Sequence, residues 1–437
     1  MRKQLKYAIL LSLTLSVAAE ALTLDEAIKL GKERSLINES SRIARERVEG
    51  QITEAWSNAL PQVDGTVAYQ RSWKAPVMFF PNDSGGTMKI KTQQNNSSMA
   101  EATLTQPLYT FGRVAAGLKA AYAARSANEH LTSYTDKSLE LEIMRRYWSV
   151  LLLRDILEVR KAGLAVSDSA LQRVIRLRDV GLMSDYDVLR AQVQVSNQVP
   201  PLRQAESNLQ LAELSLCEGL GVPLDTTLTV EGSLADFTGE MQTESAPAGM
   251  QPREDLEALR DVNSAYQQAY TIYKNMHWPT LGGQVKYSWQ WSNDQWDIRP
   301  DNNASAVSGG LALMIPLWSS GRNSGKAQQI KADWRKAQLD LANAERGARL
   351  QLESARSVHT AALASVDAAR TTVKQAEEAR RLAHIKLGQG QLTLLEVEAA
   401  QLDETAAKVA LAAAEYDLLL SAASLRLAAG LSPYTQF

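Results

Sequence analysis

Two pairs of short segments alternate apolar and polar side chains with a period of two, which is typical of β-strands. The pairs cover about 62–74 with 98–106 and about 280–291 with 307–315. Aromatic residues lie on or beside the apolar faces: Trp73, Tyr109, Trp289, Trp291 and Trp318. Strands of about ten residues with one apolar face suit a transmembrane β-barrel, whose aromatic residues lie at the membrane interface. A soluble sheet packed on a core is the alternative interpretation.

The strand pairs are followed by two long stretches without internal proline, 108–199 and 317–432, which are rich in good helix formers such as Ala, Leu, Gln and Glu. Glycine interrupts both stretches: Gly181 stands 69 residues after Gly112, and Gly390 stands 69 residues after Gly321. A helix of that length spans about 100 Å at about 1.5 Å per residue. We therefore expect two long antiparallel helical hairpins, which turn near residues 181 and 390.

The chain contains an internal duplication. Residues 107–113, Pro-Leu-Tyr-Thr-Phe-Gly-Arg, recur 209 residues later at 316–322 as Pro-Leu-Trp-Ser-Ser-Gly-Arg. Asp187 corresponds to Glu396 at the same offset. Each repeat is predicted to hold two strands and two long helices. The predicted boundaries are repeat 1 at 22–219, an irregular connector at 220–251, repeat 2 at 252–430 and a C-terminal tail at 431–437.

The loops between paired strands, 75–97 and 292–303, are polar and rich in Asn, Asp and Gly, as exposed loops should be. Upstream of the strands, Pro61 and Pro279 stand 218 residues apart instead of 209, so the first repeat has nine extra residues, which we place in its loop.

The number of predicted strands requires an oligomer. Four strands in one chain cannot close a barrel, and membrane hydrocarbon tolerates no open sheet edge. Two chains would supply eight strands and fill the interior with side chains, whereas three would supply twelve and leave space for a pore. The strand count alone does not choose between them.

The N-terminus predicts export. Arg2, Lys3 and Lys6 precede an uncharged stretch at 7–19, and the Ala-Glu-Ala of 19–21 matches a signal-peptidase site. We therefore predict that residues 1–21 form a cleaved signal peptide; a buried N-terminal helix is the alternative. No cysteine stands at the cleavage point to carry a lipid anchor.

Composition narrows the class of protein. The chain has 437 residues, a net charge of −2 and a mean hydropathy of −0.24. This charge balance argues against a broad nucleic-acid-binding surface, and the absence of an apolar run of 18 residues argues against a helical membrane protein. The single Cys217, expected to be a buried filler, excludes an intrachain disulfide, and the four histidines share no metal-ligand spacing. No nucleophile, metalloprotease or phosphate-loop motif is present, so we expect neither an enzyme nor a cofactor.

Several short motifs occur in a fixed order: Leu22-Thr23-Leu24-Asp25-Glu26-Ala27 at the expected mature start, the duplicated 107–113 segment, Val180-Gly181-Leu182 and Asp187-Val188. With these motifs, the chain resembles the TolC-like outer-membrane efflux proteins over essentially the whole mature sequence. The resemblance implies a mainly α homotrimer, with a twelve-stranded membrane β-barrel continuous with a twelve-helix periplasmic α-barrel. It also implies an exit duct in the outer membrane of a Gram-negative bacterium, joined to an inner-membrane pump through a periplasmic adaptor.

The resemblance also assigns candidate site residues. Asp187 and Glu396 would line the constriction of the tunnel as rings of carboxylates. The alternative is local, because Ser184-x-x-Asp187 and Thr393-x-x-Glu396 both have the spacing of helix capping boxes. The second acid of the family's gate is Ala399 here, and a basic residue sometimes found before it is Leu392. The locking contacts of that gate therefore cannot be carried over.

The helical turns are the implied docking tips for the adaptor: Val180, Gly181 and Leu182, with Gly390 and Leu392 as the weaker counterpart. The alternative is that Gly181 only supplies a positive φ. The strand-to-helix joints hold the repeated residues Pro107, Gly112, Arg113, Pro316, Gly321 and Arg322, and we expect both arginines to anchor their joints.

The main functional hypothesis is an exit duct for a tripartite efflux pump or a type I secretion system. An elongated structural or adhesive envelope protein without a pore is the alternative from another class. The sequence leaves the cargo open among drugs, metal ions and polypeptides.

Overall fold

The structure, a computed structural model, describes residues 22–81, 85–241, 249–295, 300–389 and 391–434. The proposed signal peptide and Gly390 lie outside these ranges. The described chain is mainly helical with a smaller β component, which confirms the predicted class at that level. It divides into two compact units. The sheet unit comprises 44–129 and 258–342, and the helical unit comprises the other described residues.

The elements follow one another in two similar series. The helices are α1 (Leu24–Arg34), α2 (Leu36–Ser57), α3 (Arg113–Asp179), α4 (Asp185–Leu220), α5 (Leu234–Met241), α6 (Glu254–Lys274), α7 (Arg322–Gly388) and α8 (Leu394–Ala428). The strands are β1 (Gln62–Arg71), β2 (Val77–Pro81), β3 (Thr87–Lys91), β4 (Asn96–Tyr109), β5 (Thr280–Asn293) and β6 (Asn303–Met314). Both α3 and α7 have 67 residues. None of the described helices is both long enough and apolar enough to cross a membrane.

The main sheet is antiparallel and has the strand order β1-β4-β5-β6. Its central pair, β4 and β5, brings together strands from the two halves of the sequence. Beyond Thr105, β4 pairs with β5 alone, and the register shifts between Pro107 and Tyr109. The missing N–H of Pro107 therefore falls where the ladder is already irregular, so β4 can continue past the proline.

The loop at 75–97 is not irregular throughout, because β2 and β3 form a separate two-stranded hairpin inside it. The overall polar composition of the loop had predicted an exposed connection. That interpretation missed two five-residue segments, Val-Met-Phe-Phe-Pro and Thr-Met-Lys-Ile-Lys, which are rich in strand formers.

The core of the helical unit surrounds the middle of α3. Ile143, Met144, Tyr147 and Trp148 are at most 1% exposed, and they pack with buried side chains from α1, α4, α5 and α8. The Tyr147 hydroxyl lies 2.9 Å from the carbonyl oxygen of Leu22 and 2.8 Å from that of Glu231. Each large apolar side chain buried in this way contributes about 1.5–3 kcal/mol relative to an exposed one. Cys217 is 1% exposed, as its predicted packing role requires.

Helix α4 does not end with the first proline-free stretch. It continues through Pro200 and Pro201 to Leu220. Each proline lacks the N–H that would bond to the carbonyl four residues earlier. Those carbonyls belong to Ser196 and Asn197, which are exposed, so water can replace the missing donors.

Candidate channel surfaces and helical turns

One face of the main sheet exposes large apolar side chains. Val63 of β1 pairs with Leu104 of β4, which in turn pairs with Val285 of β5. Val67 is 85% exposed on the same face, and Leu311 of β6 is 73% exposed. A contiguous apolar surface of this kind is unusual in contact with water and marks an interaction surface. Lipid hydrocarbon matches its chemistry.

The opposite face of the same sheet is polar. Asp64, Thr103 and Lys286 form one row across three strands, and Glu101 and Ser288 lie in the next row. Lys286 forms an ion pair with Glu101, and the Thr103 hydroxyl donates to the Glu101 carboxylate at 3.1 Å. This face can therefore lie against water, so the sheet has the two-sided character that separates hydrocarbon from a polar interior.

The two strand-to-helix joints have the same backbone conformation. Phe111 and Ser320, which stand 209 residues apart, both have φ of 49°, and the following Gly112 and Gly321 have φ of 79° and 80°. Phe111 and Ser320 are the non-glycine residues in the described ranges with positive φ. The repeated Gly-Arg motif thus marks two sharp left-handed turns, at which glycine avoids the strain that a β-carbon brings.

Side-chain contacts hold the first joint. Arg113 donates to the Thr280 hydroxyl at the start of β5 and, through Nε, to the Thr110 carbonyl at 3.3 Å. The Phe111 ring stacks on Trp278 with centroids 5.3 Å apart. At the second joint the backbone N–H of Arg322 donates to the Ser319 carbonyl at 2.9 Å, and its side chain is exposed. Pro107 lies inside β4, whereas Pro316 lies just beyond β6.

The five candidate interface aromatics differ in exposure. Trp73 and Trp318 are 89% and 85% exposed, Tyr109 is 56% exposed, and Trp289 is half-buried. Exposed rings of this kind can lie at a membrane interface. Trp291 is only 3% exposed, so its own chain covers it and little of its ring is available to lipid.

The turn between α3 and α4 is a Schellman motif. Gly181 has φ of 77° and donates its N–H to the Arg178 carbonyl at 2.8 Å, and Leu182 donates to the Leu177 carbonyl at 2.9 Å. Gly181 therefore does supply a positive φ. Val180 and Leu182 on either side are 68% and 72% exposed, so this tip presents apolar side chains to a possible partner.

The turn between α7 and α8 contains the corresponding backbone hydrogen bond. Gln391 donates its N–H to the Lys386 carbonyl at 2.9 Å, at positions that stand 209 residues after Leu182 and Leu177. Gly390, the candidate docking glycine, lies outside the described residues. Leu392 is half-buried and presents less apolar surface than its counterparts at the first turn.

Asp187 and Glu396 both complete capping boxes. The Ser184 N–H and hydroxyl donate to Asp187 at 2.9 and 2.7 Å, and the Thr393 N–H and hydroxyl donate to Glu396 at 2.8 Å each. The Ser184 side chain and backbone lower the pKa of Asp187, and the Thr393 backbone and side chain lower the pKa of Glu396. Hydrogen bonds that favour the charged form keep both groups ionised; Glu396 is exposed and Asp187 is half-buried.

A cavity of about 770 Å³ lies between the two helical hairpins, inside the helical unit. The titratable side chains in its lining are Arg173, His384 and Glu398. Burial, together with Arg380 and Arg173, lowers the pKa of His384, and burial raises the pKa of Glu398. The histidine is therefore neutral near pH 7. No sequence pattern indicates this cavity, because its lining comes from four helices and each polar residue is an ordinary member of its own helix.

Within the residues that the structure describes, no three His, Cys, Asp or Glu side chains come together as a candidate metal site. Burial raises the pKa of the Cys217 thiol, which keeps it protonated and unreactive.

Comparison with known proteins gives one consistent result. The family model for outer membrane efflux proteins matches residues 38–222 and 250–431. The outer membrane efflux protein BepC of Brucella suis biovar 1 (strain 1330) is 26% identical over 426 residues, which cover 97% of this chain and 89% of BepC.

Solved structures show the same fold. The outer membrane protein VceC of Vibrio cholerae superposes with a TM-score of 0.75 at 17% identity, covering 94% of this chain and 97% of VceC. The CmeC outer membrane channel of Campylobacter jejuni superposes with a TM-score of 0.77 at 14% identity, covering 94% and 87% of the two chains.

Proposed function

The chain belongs to the outer membrane efflux protein family, and we propose that it forms the outer-membrane exit duct of a tripartite efflux pump. Three copies close one barrel in the outer membrane, and their long helices extend into the periplasm. Substrates enter from an inner-membrane pump through a periplasmic adaptor and leave to the exterior. The names of the relatives, an outer membrane efflux protein and an outer membrane channel, support this proposal. Family membership does not favour an elongated envelope protein without a pore.

The two-faced sheet is the observation that carries the proposal. Within the described residues, β1 and β6 each pair with one strand only, so the main sheet of each chain has two unpaired edges. An edge exposed to hydrocarbon leaves backbone groups unsatisfied at several kcal/mol each. Pairing β6 of one chain with β1 of the next removes both edges. Three copies make twelve strands, which leave room for a lumen lined by the polar face.

The helical turns supply the remaining parts of the proposal. Three copies of Asp187 and Glu396 form carboxylate rings at the periplasmic end, where they favour cations over anions. The exposed apolar pair at Val180 and Leu182 docks the adaptor. A β-carbon built on Gly181 has no atom of the described residues within 4 Å, so the space beside this glycine is open to a partner.

Oligomeric mass and conductance test this function. The purified mature protein should run as a trimer by light scattering and conduct ions in planar bilayers. A matched pair of variants on β6 tests which face meets lipid. Leu311→Arg places a charge on the apolar face and should prevent insertion, because arginine there costs about 2–4 kcal/mol near the midplane. Ser308→Arg, on the polar face of the same strand, should insert and change the conductance.

A monodisperse monomer in lipid, or a trimer that gives no current under any applied voltage, would contradict the proposal. Equal insertion of the two arginine variants would contradict the assignment of the faces.

A further inference from the structure

The β2–β3 hairpin has one wholly apolar face. In its antiparallel register Met78 pairs with Ile90 and Phe80 pairs with Met88, so these four side chains project to the same side. The other side has a mixed composition that includes Lys91 opposite Val77 and Lys89 opposite Phe79. The lysines thus share one face, as in an amphipathic element.

All four side chains of the apolar face are exposed: Met78 by 56%, Phe80 by 43%, Met88 by 52% and Ile90 by 41%. A hairpin of only two strands is marginally stable in water without further packing. Exposed methionine and phenylalanine in such a hairpin therefore indicate a surface that another apolar environment covers.

Contacts at the base fix the hairpin to the neighbouring loop. The N–H and hydroxyl of Thr92 both donate to the Pro76 carbonyl at 3.1 Å. Lys91 forms an ion pair with Asp294, just beyond β5, and the same carboxylate accepts the Asn95 N–H at 2.8 Å. The hairpin therefore has a defined position at the end of the main sheet where Trp73 is exposed.

We propose that this hairpin is a second membrane contact, which lies in the outer leaflet beside the barrel and binds anionic lipid. Its apolar face enters the acyl boundary, while Lys89 stays at the level of the phosphates, held over the Phe79 ring at 5.6 Å from the centroid. The inference rests on the proposed function, because it requires the main sheet to be in the membrane.

Charge favours lipid over a second copy of the hairpin as the occupant. The two hairpin strands contain two lysines and no acidic residue. Lys91 is already paired with Asp294, but a second copy of these two strands offers Lys89 no acidic partner, whereas anionic lipid headgroups attract it. Membrane-surface elements commonly carry lysine on one face and aromatic and aliphatic side chains on the other, and this hairpin has both lysines on one face and Phe80 on the other.

Site-specific fluorescence in the full-length protein tests the proposal. An environment-sensitive NBD label is attached at Met88→Cys in a Cys217→Ser background, and the protein is placed in nanodiscs that contain phosphatidylglycerol. The matched control is Thr87→Cys, the neighbouring position on the opposite face, and Leu311→Cys reports on the barrel. Quenching is measured with a nitroxide on the lipid acyl chain and with iodide in water.

We expect the label at 88 to lose emission with the lipid nitroxide and resist iodide, and the label at 87 to show the reverse. Lys89→Glu should reduce the nitroxide quenching at 88 in anionic nanodiscs but not in phosphatidylcholine. Iodide quenching at both 87 and 88, with nitroxide quenching at 311, would overturn the inference and leave the barrel intact. Protection of 88 from both quenchers would overturn it in favour of a protein contact. Loss of nitroxide quenching at 311 would instead refute the proposed function.

Discussion

Replacing Gly181 with alanine and with tryptophan separates backbone strain from partner docking. Gly181 has φ of 77°, where an L-residue is strained by about 1–2 kcal/mol. Both substitutions introduce this strain, because both add a β-carbon. No atom of the described residues lies within 4 Å of that β-carbon, so neither substitution creates a direct clash at this atom with them. The variants therefore differ mainly in the bulk that they add between Val180 and Leu182.

If the adaptor docks on this tip, export should depend on the size of the side chain at position 181 and not on the backbone strain. We expect Gly181→Ala to export a substrate of the cognate pump at close to the wild-type rate, and Gly181→Trp to lose most export. Export is measured as efflux of a fluorescent pump substrate from cells. Crosslinking to the adaptor should fall in parallel for the tryptophan variant alone.

A third variant checks the strain itself. Gly347 lies in the interior of α7 without positive φ, and a β-carbon there also meets no atom within 4 Å among the residues that the structure describes. Gly347→Ala should therefore stabilise its helix by about 1 kcal/mol, whereas Gly181→Ala should destabilise the turn. Hydrogen exchange of the local amides reports both signs. Equal export defects in the two Gly181 variants would show that strain is responsible, and normal export by Gly181→Trp would remove the docking role.

Two further predictions follow from the caps and the core. Asp187→Asn combined with Glu396→Gln keeps oxygen acceptors for the caps but removes the charges, so the cation preference in reversal-potential measurements should fall. The control is Ser184→Ala, which weakens a cap by about 1 kcal/mol and should preserve the cation preference. Unchanged selectivity in the double variant would leave the acids as caps only. Leu216→Ala removes a fully buried side chain and should cost about 2–5 kcal/mol, whereas Leu211→Ala, at a position 61% exposed, should change stability by less than about 0.5 kcal/mol in denaturant unfolding. Similar losses in both leucine variants would contradict the described core.

Local signals in the sequence predicted the main elements well. The capping boxes at 184–187 and 393–396 depend on side chains three residues apart, so spacing alone identifies them. The left-handed turn at Gly181 follows from a glycine that interrupts a long run of helix formers. The strand pairs are apparent because apolar and polar positions alternate over nine or more residues in each predicted segment, long enough to distinguish a period of two from chance.

The features that sequence analysis missed depend on pairing or on the environment. The β2 and β3 segments have only five residues each, and their common apolar face exists only in the antiparallel register. The cavity beside His384 needs four helices to form it. Helix α4 continues through Pro200 because exposed carbonyls can bond to water, which a rule that prolines end helices does not consider.

Capping and ion selectivity are compatible roles for Asp187 and Glu396. A carboxylate that accepts hydrogen bonds from Ser184 or Thr393 has a lowered pKa, because those bonds favour the charged form. A lowered folded-state pKa stabilises the fold above the ordinary carboxyl pKa, and that contribution is lost as the pH falls through the folded value. The same titration removes the charge from the ring. We therefore expect the cation preference of the channel to persist through the ordinary range of carboxyl groups, about pH 4, and to disappear only at lower pH. A preference that is already lost at pH 6 would show that other groups produce it.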